Sequence, residues 1–327
     1  MTRPVVLLTD PSIHQDAVAR LRGTCDVRIG PAYADEATLI GAARNADAIL
    51  VRLGMITAAV IDAAPRLRII ACHGSGVDCV DLPAAAARGI VVTNAGPTNA
   101  GAVAEYTFAL LLALLRKVPQ ADRVMREGAW ARGPQIGYGL EGRTLGIVGL
   151  GQIGARVARI ALGFGMRVVA TDPKPGVPGG LDLRLLPLPQ LLQEADIVSV
   201  HARSTPATHR FIDGRAMALM RPGAWLINTA RGDIVDQPAL IAALQSGRLA
   251  GAALDAHDPE PLPSDSPLRR MENVVLSPHV AAQTHDSMRA MGLVAAEAIL
   301  DVLAGRRPRH VYNPAVYRDV AEPQGLS

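Results

Sequence analysis

Short apolar runs alternate with stretches of helical periodicity along most of the chain. In the first hundred residues this pattern predicts strands at 5–8, 48–51, 67–71 and 90–93, and helices at 12–21, 57–64 and 82–88. From residue 144 the alternation resumes, with strands near 144, 167, 197, 224, 250 and 274. Alternation of this kind is typical of parallel strands joined by crossover helices. The sequence therefore predicts an α/β protein with two doubly wound parallel sheets.

A glycine motif joins one of these strands to the helix that follows it. Gly149, Gly151 and Gly154 stand in the G-x-G-x-x-G spacing. In a dinucleotide site the first glycine would make the tight turn, the second would let the backbone approach a pyrophosphate, and the third would let the helix pack close to the strand. Gln152 and Ile153 begin the helix, where exposed N–H groups would hold the anion. A purely structural glycine turn is the alternative.

Asp172 indicates which dinucleotide would bind. It ends the next apolar run, where the acid that binds the ribose hydroxyls is expected. A carboxylate there accepts hydrogen bonds from both hydroxyls and repels a 2′-phosphate, which favours NAD over NADP. Lys174 follows closely and would weaken that repulsion, so the strictness of the preference stays open.

Two segments predict the domain organisation. Glycine and proline interrupt both periodicities in residues 95–99, just before a long predicted helix at 101–117. An amphipathic helix is predicted at 284–305, and by analogy the chain returns there to cover the first domain. We therefore expect a flavodoxin-like substrate domain, residues 1–99 plus 286–327, into which a Rossmann NAD-binding domain, residues 100–285, is inserted.

Composition limits the class of protein further. The 327 residues are 49% apolar but only 3% aromatic, so the cores must be built from aliphatic side chains, as in helix-covered parallel sheets. A net charge of +3 without a basic run indicates no nucleic-acid partner. The longest apolar run is too short to cross a bilayer, and no signal peptide is recognised. Three cysteines without C-x-x-C spacing favour a reducing compartment, so we expect a cytoplasmic protein.

Three charged side chains follow predicted strands of the second domain: Arg231, Glu260 and His279. Because the carboxyl ends of strands form the ligand crevice of an open α/β sheet, all three can face one pocket. When the carbon of a hydroxy acid gives a hydride to nicotinamide, its hydroxyl must lose a proton, and histidine is the natural base for this step. A carboxylate bonded to the second ring nitrogen of the histidine would orient the imidazole. A guanidinium can grip a substrate carboxylate and polarise the carbonyl being reduced.

Each of these residues also has a plainer interpretation when it is taken singly. The histidine would be a loop residue, the arginine a helix cap or surface ion, and the glutamate a solvated carboxylate. A metal cluster of His257, Asp258 and Glu260 is a further alternative, but Pro259 interrupts it and no His-x-x-x-His pair is present. We therefore expect no metal, and the argument for catalysis depends on the combination.

Six motifs, in order along the chain, resemble those of the D-isomer-specific 2-hydroxyacid dehydrogenases. They are Gly74 to Asp78, Asn99 to Glu105, Gly149 to Gly154, Thr229 to Gly232, Leu254-Asp255 with Pro259 to Pro261, and Ser277 to His279. The resemblance covers nearly the whole chain and implies that Arg231, Glu260 and His279 are catalytic. It also implies that amides of Ser75 and Gly76 hold the substrate carboxylate. It further implies a homodimer formed largely through the cofactor domain.

The same resemblance extends the cofactor site. It implies that Asp255 lies near the nicotinamide carboxamide, and that His201 and Thr205 belong to the adenine-side loop, where Arg203 replaces the usual proline. The expected cofactor-binding residues are Gly149, Gly151, Gln152, Ile153, Gly154, Asp172, His201, Thr205, Thr229 and Asp255.

The substrate side departs from one branch of the family. An arginine is common in the phosphoglycerate branch where Cys72 stands, which disfavours a phosphorylated substrate, although Arg52 could still receive a second anionic group. We expect Arg52, Leu53, His73 and Ser75 to line the substrate pocket. The sequence does not identify the acid or the physiological direction.

Together these features predict an NAD-dependent oxidoreductase that interconverts a small D-2-hydroxy acid and its 2-keto acid by hydride transfer. One alternative is a dimeric NAD-sensing binding module without turnover, which would have no need of a proton donor. Another is a formate or phosphite type of dehydrogenase, in which the substrate gives hydride directly and the pocket is small and strongly anion-binding.

Overall fold

The computed structural model describes residues 2–174 and 176–317. The described residues form two compact units, residues 2–99 with 283–317 and residues 100–174 with 176–282. The chain re-enters the first unit at residue 283, close to the expected residue 286. The end of the expected substrate domain, residues 318–327, lies outside the described residues.

The first unit is built on a five-stranded parallel sheet. Its elements in chain order are β1 Val5–Leu8, α1 Gln15–Arg22, β2 Asp26–Ile29, α2 Glu36–Ala43, β3 Ala48–Val51, α3 Ala58–Asp62, β4 Ile69–Cys72, α4 Leu82–Ala87 and β5 Val91–Thr93. The strand order β2-β1-β3-β4-β5 is the flavodoxin order. Strands β1, β3 and β4 are buried at every position, because helices cover both faces of the sheet.

Sequence periodicity missed two elements at the margin of this sheet. Strand β2 reads Asp-Val-Arg-Ile, and three of its four residues are exposed because it pairs only with β1. An edge strand of this kind has no continuous apolar run to mark it. Helix α2 begins at its N-cap Asp35, whose side chain accepts from the Thr38 N–H at 2.9 Å, and only two of its residues are buried.

The second unit contains a seven-stranded parallel sheet. Its elements are α5 Ala100–Leu115, α6 Val118–Arg126, β6 Thr144–Val148, α7 Gln152–Gly163, β7 Arg167–Thr171, β8 Arg184–Leu185, α8 Leu188–Glu194, β9 Ile197–Val200, α9 Gly214–Leu219, β10 Ala224–Asn228, α10 Gln237–Gln245, β11 Leu249–Leu254 and β12 Val274–Leu276. Helix α11, His285–Leu303, then belongs to the first unit. The order β8-β7-β6-β9-β10-β11-β12 is the Rossmann order with one more strand. Two parallel-sheet α/β domains are therefore confirmed.

The register of the last three strands brings their carboxyl ends together. Asn228 at the end of β10 pairs with Leu254 at the end of β11, and Leu254 pairs with Leu276 at the end of β12. The loops that follow therefore begin side by side at one edge of the sheet. In the described part of the chain, no helix has the length and apolarity needed to span a bilayer.

A stability prediction concerns Asp47, which precedes β3. Its carboxylate accepts hydrogen bonds from the Val5 N–H at 2.7 Å and from Arg66 Nε at 3.0 Å. Burial alone would raise the pKa of Asp47, but these bonds outweigh burial and lower it. A lowered pKa contributes stability above the pKa of the unfolded chain, about 3.9, and that contribution is lost as the pH falls through the folded value.

We expect Asp47→Asn to reduce the free energy of unfolding by about 1 to 2 kcal/mol at pH 7, and the deficit to shrink below about pH 4. Urea denaturation at pH 7 and below about pH 4 would measure the difference in the free energy of unfolding between the variant and the wild-type protein. The control is Asp62→Asn, which changes an exposed carboxylate without a hydrogen-bond partner among the described residues. A deficit that is independent of pH would contradict the prediction.

Candidate active site

The glycine motif forms a turn that only glycine can make at two of its three positions. Gly149 has φ +96°, and a Cβ there would lie 2.6 Å from the Ala202 amide nitrogen. A Cβ on Gly154 would lie 2.1 Å from the Gly149 carbonyl oxygen. Gly151, by contrast, faces open space, with nothing within 4 Å of an added Cβ. The backbone therefore packs closely against Gly149 and Gly154, whereas the space beside Gly151 at the α7 N-terminus is open, as a bound pyrophosphate requires.

Asp172 lies directly beside this turn. One carboxylate oxygen accepts from the Leu150 N–H at 2.8 Å, and the other accepts from the Lys174 N–H at 2.8 Å. Because each oxygen can accept more than one bond, the carboxylate retains capacity for ribose hydroxyls. Gln152 and Ile153 begin α7, as the sequence predicts, and the Gln152 side chain is bonded to Arg156.

The loop that the resemblance assigns to the adenine side begins at the carboxyl end of β9. His201 Nε2 lies 2.8 Å from Ser199 Oγ, while its Nδ1 is buried and has no partner among the described residues. Burial lowers the pKa of His201 to about 3, so the ring is neutral at pH 7. An unpaired buried nitrogen beside the glycine turn fits a site that a ligand completes. Thr205 is exposed and bonded to Thr208.

Arg231 follows β10 at the edge where the three strand ends meet. The Asn228 side chain donates to the Arg231 carbonyl at 2.8 Å, and Arg231 Nη1 donates to the Ala230 carbonyl at 2.8 Å. The next residue, Gly232, packs so tightly that an added Cβ would lie 1.9 Å from the His257 carbonyl oxygen. The backbone that carries Arg231 is therefore in direct contact with the loop that carries Glu260.

His279 and Glu260 form a hydrogen-bonded pair. His279 Nδ1 lies 2.8 Å from Glu260 Oε2, and the other carboxylate oxygen accepts from the His257 N–H at 2.9 Å. Burial would raise the pKa of Glu260, but the hydrogen bond and charge of His279 outweigh it and lower the pKa, so the carboxylate is ionised at pH 7. The imidazole is thus oriented through Nδ1, which leaves Nε2 for proton transfer.

Asp255 holds the backbone on which His279 stands. Its carboxylate is 1% exposed and accepts from Ser277 Oγ at 2.6 Å and from the amides of Val280 and Ala281 at 2.9 and 2.8 Å. Its carbonyl accepts from the His279 N–H at 2.9 Å. These bonds stabilise the left-handed conformation of His279, φ +54°. The structure therefore gives Asp255 a positioning role besides the cofactor contact expected from the resemblance.

Thr229 also makes a hydrogen bond within the second unit. It is buried, and its hydroxyl lies 3.0 Å from that of Thr107 on α5. This bond ties the segment before Arg231 to the long helix. Its contact with a cofactor stays a prediction.

Apart from Arg231, the residues expected to bind the substrate lie in the first unit. In the described part of the chain, the N–H groups of Ser75 and Gly76 donate no hydrogen bond, while Asn94 Nδ2 holds the loop through the Ser75 carbonyl at 2.8 Å. Arg52 follows β3, and its Nη1 lies 3.3 Å from Asp10 Oδ1. A fixed loop with unpaired amides is able to bind a carboxylate.

The three residues of the alternative metal cluster, His257, Asp258 and Glu260, each interact with another group of the protein. His257 Nε2 lies 2.9 Å from the Ser277 carbonyl, Asp258 lies 3.5 Å from Arg210, and Glu260 is bonded to His279. Within the described residues, no group of three or more His, Cys, Asp or Glu side chains could hold a metal ion.

Several functional contacts were missed by reasoning from the sequence. Asp10 and Ser12 bond to Arg52, and Ser277 bonds to Asp255. Each follows an apolar strand, so its position at a strand end was a usable signal. Gly232 belongs to a recognised motif, but its close packing against the His257 carbonyl was not predicted.

The fold and the site together define a dinucleotide-dependent oxidoreductase. A family model described as "D-isomer specific 2-hydroxyacid dehydrogenase, NAD binding domain" matches residues 108–281. The glyoxylate reductase of Korarchaeum cryptofilum is 43% identical over 80% of this chain and 81% of its own length. The chain therefore belongs to the D-isomer specific 2-hydroxyacid dehydrogenases.

Two further proteins are similar to this chain. A D-3-phosphoglycerate dehydrogenase of Mycobacterium bovis is 42% identical over 93% of this chain, but the chain spans only 58% of that protein. A solved structure of a protein from Thermus thermophilus superposes with a TM-score of 0.88 and 41% identity, covering 94% of this chain and 99% of the other.

We expect Gly154→Ala to weaken NADH binding at least tenfold, because overpacking at this contact costs about 1 to 3 kcal/mol and displaces the glycine turn. Titration of NADH fluorescence would measure the affinity. The matched control is Gly163→Ala in the same helix, where nothing lies within 4 Å of the added Cβ. Equal affinities of the two variants would contradict the role of the turn.

Proposed function

We propose that this protein interconverts a small D-2-hydroxy acid and its 2-keto acid with NAD. The observation that carries the proposal is the 2.8 Å bond between His279 and Glu260, next to the segment that carries Arg231. A proton carrier and a carboxylate-binding cation at one sheet edge are the groups that this reaction needs.

The second unit would hold the dinucleotide through its own backbone. The α7 N-terminus would bind the pyrophosphate, Asp172 the ribose, and the loop with His201 and Thr205 the adenine side. Asp255 and Thr229 would lie near the nicotinamide. When bound, the nicotinamide gives or accepts a hydride.

The protein's own side chains handle charge and protons. Arg231 would bind the substrate carboxylate and polarise the carbonyl. His279 would donate its proton to the carbonyl oxygen during reduction and accept it back during oxidation. Glu260, which is ionised, would hold the imidazole in orientation through its bond to Nδ1.

Asp172 supports NAD as the preferred dinucleotide. Both of its oxygens are oriented by backbone amides, so a 2′-phosphate placed at the ribose would meet a fixed carboxylate. Lys174 and Arg203 are the cations that could reduce this preference. Parallel titrations with NADH and NADPH would measure it.

The test of the whole proposal is an NADH oxidation assay against a panel of 2-keto acids. A dehydrogenase turns over at least one of them. A binding module that only senses NAD would bind NADH and turn over none, and an enzyme of the formate or phosphite type would reduce NAD with those substrates alone.

We also propose a homodimer in a reducing compartment such as the cytoplasm. The three cysteines are free, which agrees with reducing conditions. Helix α6 has no buried residue, and large apolar side chains are exposed along it and the segment after it. These are Val118, Met125, Trp130, Ile136 and Tyr138, each more than half exposed. We assign this surface to the partner subunit, because exposed apolar patches mark interfaces.

We expect His279→Ala to lower kcat for keto acid reduction by about 10² to 10⁴-fold, the usual contribution of a general acid. Affinity for NADH should stay unchanged, since His279 is a proton carrier. The control is His285→Ala, an exposed histidine at the start of α11. Unchanged turnover in the His279 variant would rule out the assignment.

We expect the double variant Trp130→Glu, Ile136→Glu to be monomeric, because charges at these exposed apolar positions oppose a buried interface. Sedimentation velocity would measure the mass of the particle. Tyr33→Glu, at a 79% exposed position of the first unit, is the control and should leave the dimer intact. A monomeric parent protein would contradict the proposed homodimer.

A further inference from the structure

The first unit carries a charged group at the point where its strand order reverses. In the order β2-β1-β3-β4-β5 this point lies between β1 and β3. Ligands of open α/β sheets bind outside the carboxyl ends of the strands at such a point. Asp10 follows β1 and Arg52 follows β3, so both belong to this crevice.

The two side chains form a buried ion pair. The Asp10 side chain is 2% exposed and the Arg52 side chain 14%, and Arg52 Nη1 lies 3.3 Å from Asp10 Oδ1. Ser12 braces the pair: its N–H donates to Asp10 Oδ1 at 2.7 Å, and its hydroxyl bonds to both Asp10 and Arg52. The Arg52 N–H donates to Thr9 Oγ1 at 3.2 Å. The guanidinium is therefore fixed in position.

In the described part of the first unit, the neighbouring His73 and Cys72 add no positive charge to this pair. Burial, helped by the charge of Arg52, lowers the pKa of His73 to about 4, so its ring is neutral and bonds to the Met288 carbonyl at 3.2 Å. A hydrogen bond with Cys79, together with burial, raises the pKa of Cys72, so this residue is a neutral thiol. Within this group the charge of Arg52 is therefore balanced by Asp10 and is not increased by His73 or Cys72.

We propose that Asp10 is a specificity-determining residue, which neutralises Arg52 and so selects keto acids with an uncharged polar end over phosphorylated ones. This inference rests on the proposed function. In the described part of the chain, Arg52 Nε and Nη2 make no hydrogen bond, so they can donate to a substrate hydroxyl. A phosphoryl group carries nearly two negative charges, and a neutralised guanidinium compensates them poorly.

The experiment compares hydroxypyruvate with phosphohydroxypyruvate, which differ only in the phosphoryl group. The wild-type protein should show the higher kcat/KM for hydroxypyruvate. Asp10→Asn keeps the shape and the Oδ1 acceptor while it removes the charge. It should raise the ratio of kcat/KM for the phosphorylated acid to that for hydroxypyruvate by at least about tenfold. Asp62→Asn removes a charge from the surface of the same unit and should leave the ratio unchanged.

Two outcomes would overturn the proposal: a wild-type preference for the phosphorylated acid, or an unchanged ratio in a folded Asp10→Asn protein. Adding Arg52→Gln to Asp10→Asn should return the ratio to that of the wild type, because the gain requires the guanidinium. Circular dichroism would establish folding.

Should Asp10→Asn not fold, Arg52→Gln alone provides the second test. It should reduce kcat/KM for hydroxypyruvate about tenfold more than for pyruvate, which lacks the hydroxyl that Arg52 would bind. Equal losses would overturn the proposal. If the wild-type protein turns over no keto acid, the proposed function itself fails, so the two failures are distinguishable.

Discussion

The pairing register of three parallel strands is the constraint on which the active site depends. Asn228, Leu254 and Leu276 are aligned at one edge of the second sheet, so the loops after them start as neighbours. A shift by one residue would turn every side chain of a strand to the other face. The register thus places Arg231 and the His279–Glu260 pair at the same edge.

A buried carboxylate performs a similar task in each unit. Asp255 accepts three hydrogen bonds that fix the loop of His279, and Asp10 fixes Arg52 with the help of Ser12. A buried charge is tolerated only when it is fully bonded or paired. The same bonds that satisfy these carboxylates therefore hold a cationic or titrating partner in one conformation.

Much of the architecture could be predicted from the sequence because parallel strands covered on both faces must be continuous apolar runs. Strands β1 and β3 have the bounds that their runs indicate. The edge strand β2 was missed because three of its four residues are exposed and its run is interrupted by polar residues, and helix α2 was missed because its apolar residues are not confined to one face. Strand order was available only by analogy, because periodicity within a strand says nothing about its neighbours.

The sequence by itself determined which residue types stand at strand ends, including the three glycines of the turn and the Arg231, Glu260 and His279 set. Tertiary structure alone decided which of them meet: the bond from His279 to Glu260, and the packing of Gly232 on the backbone of residue 257. The physical reason is that local propensity and periodicity act over a few residues. A hydrogen bond or a steric contact depends on positions that only the folded sheet brings within ångströms.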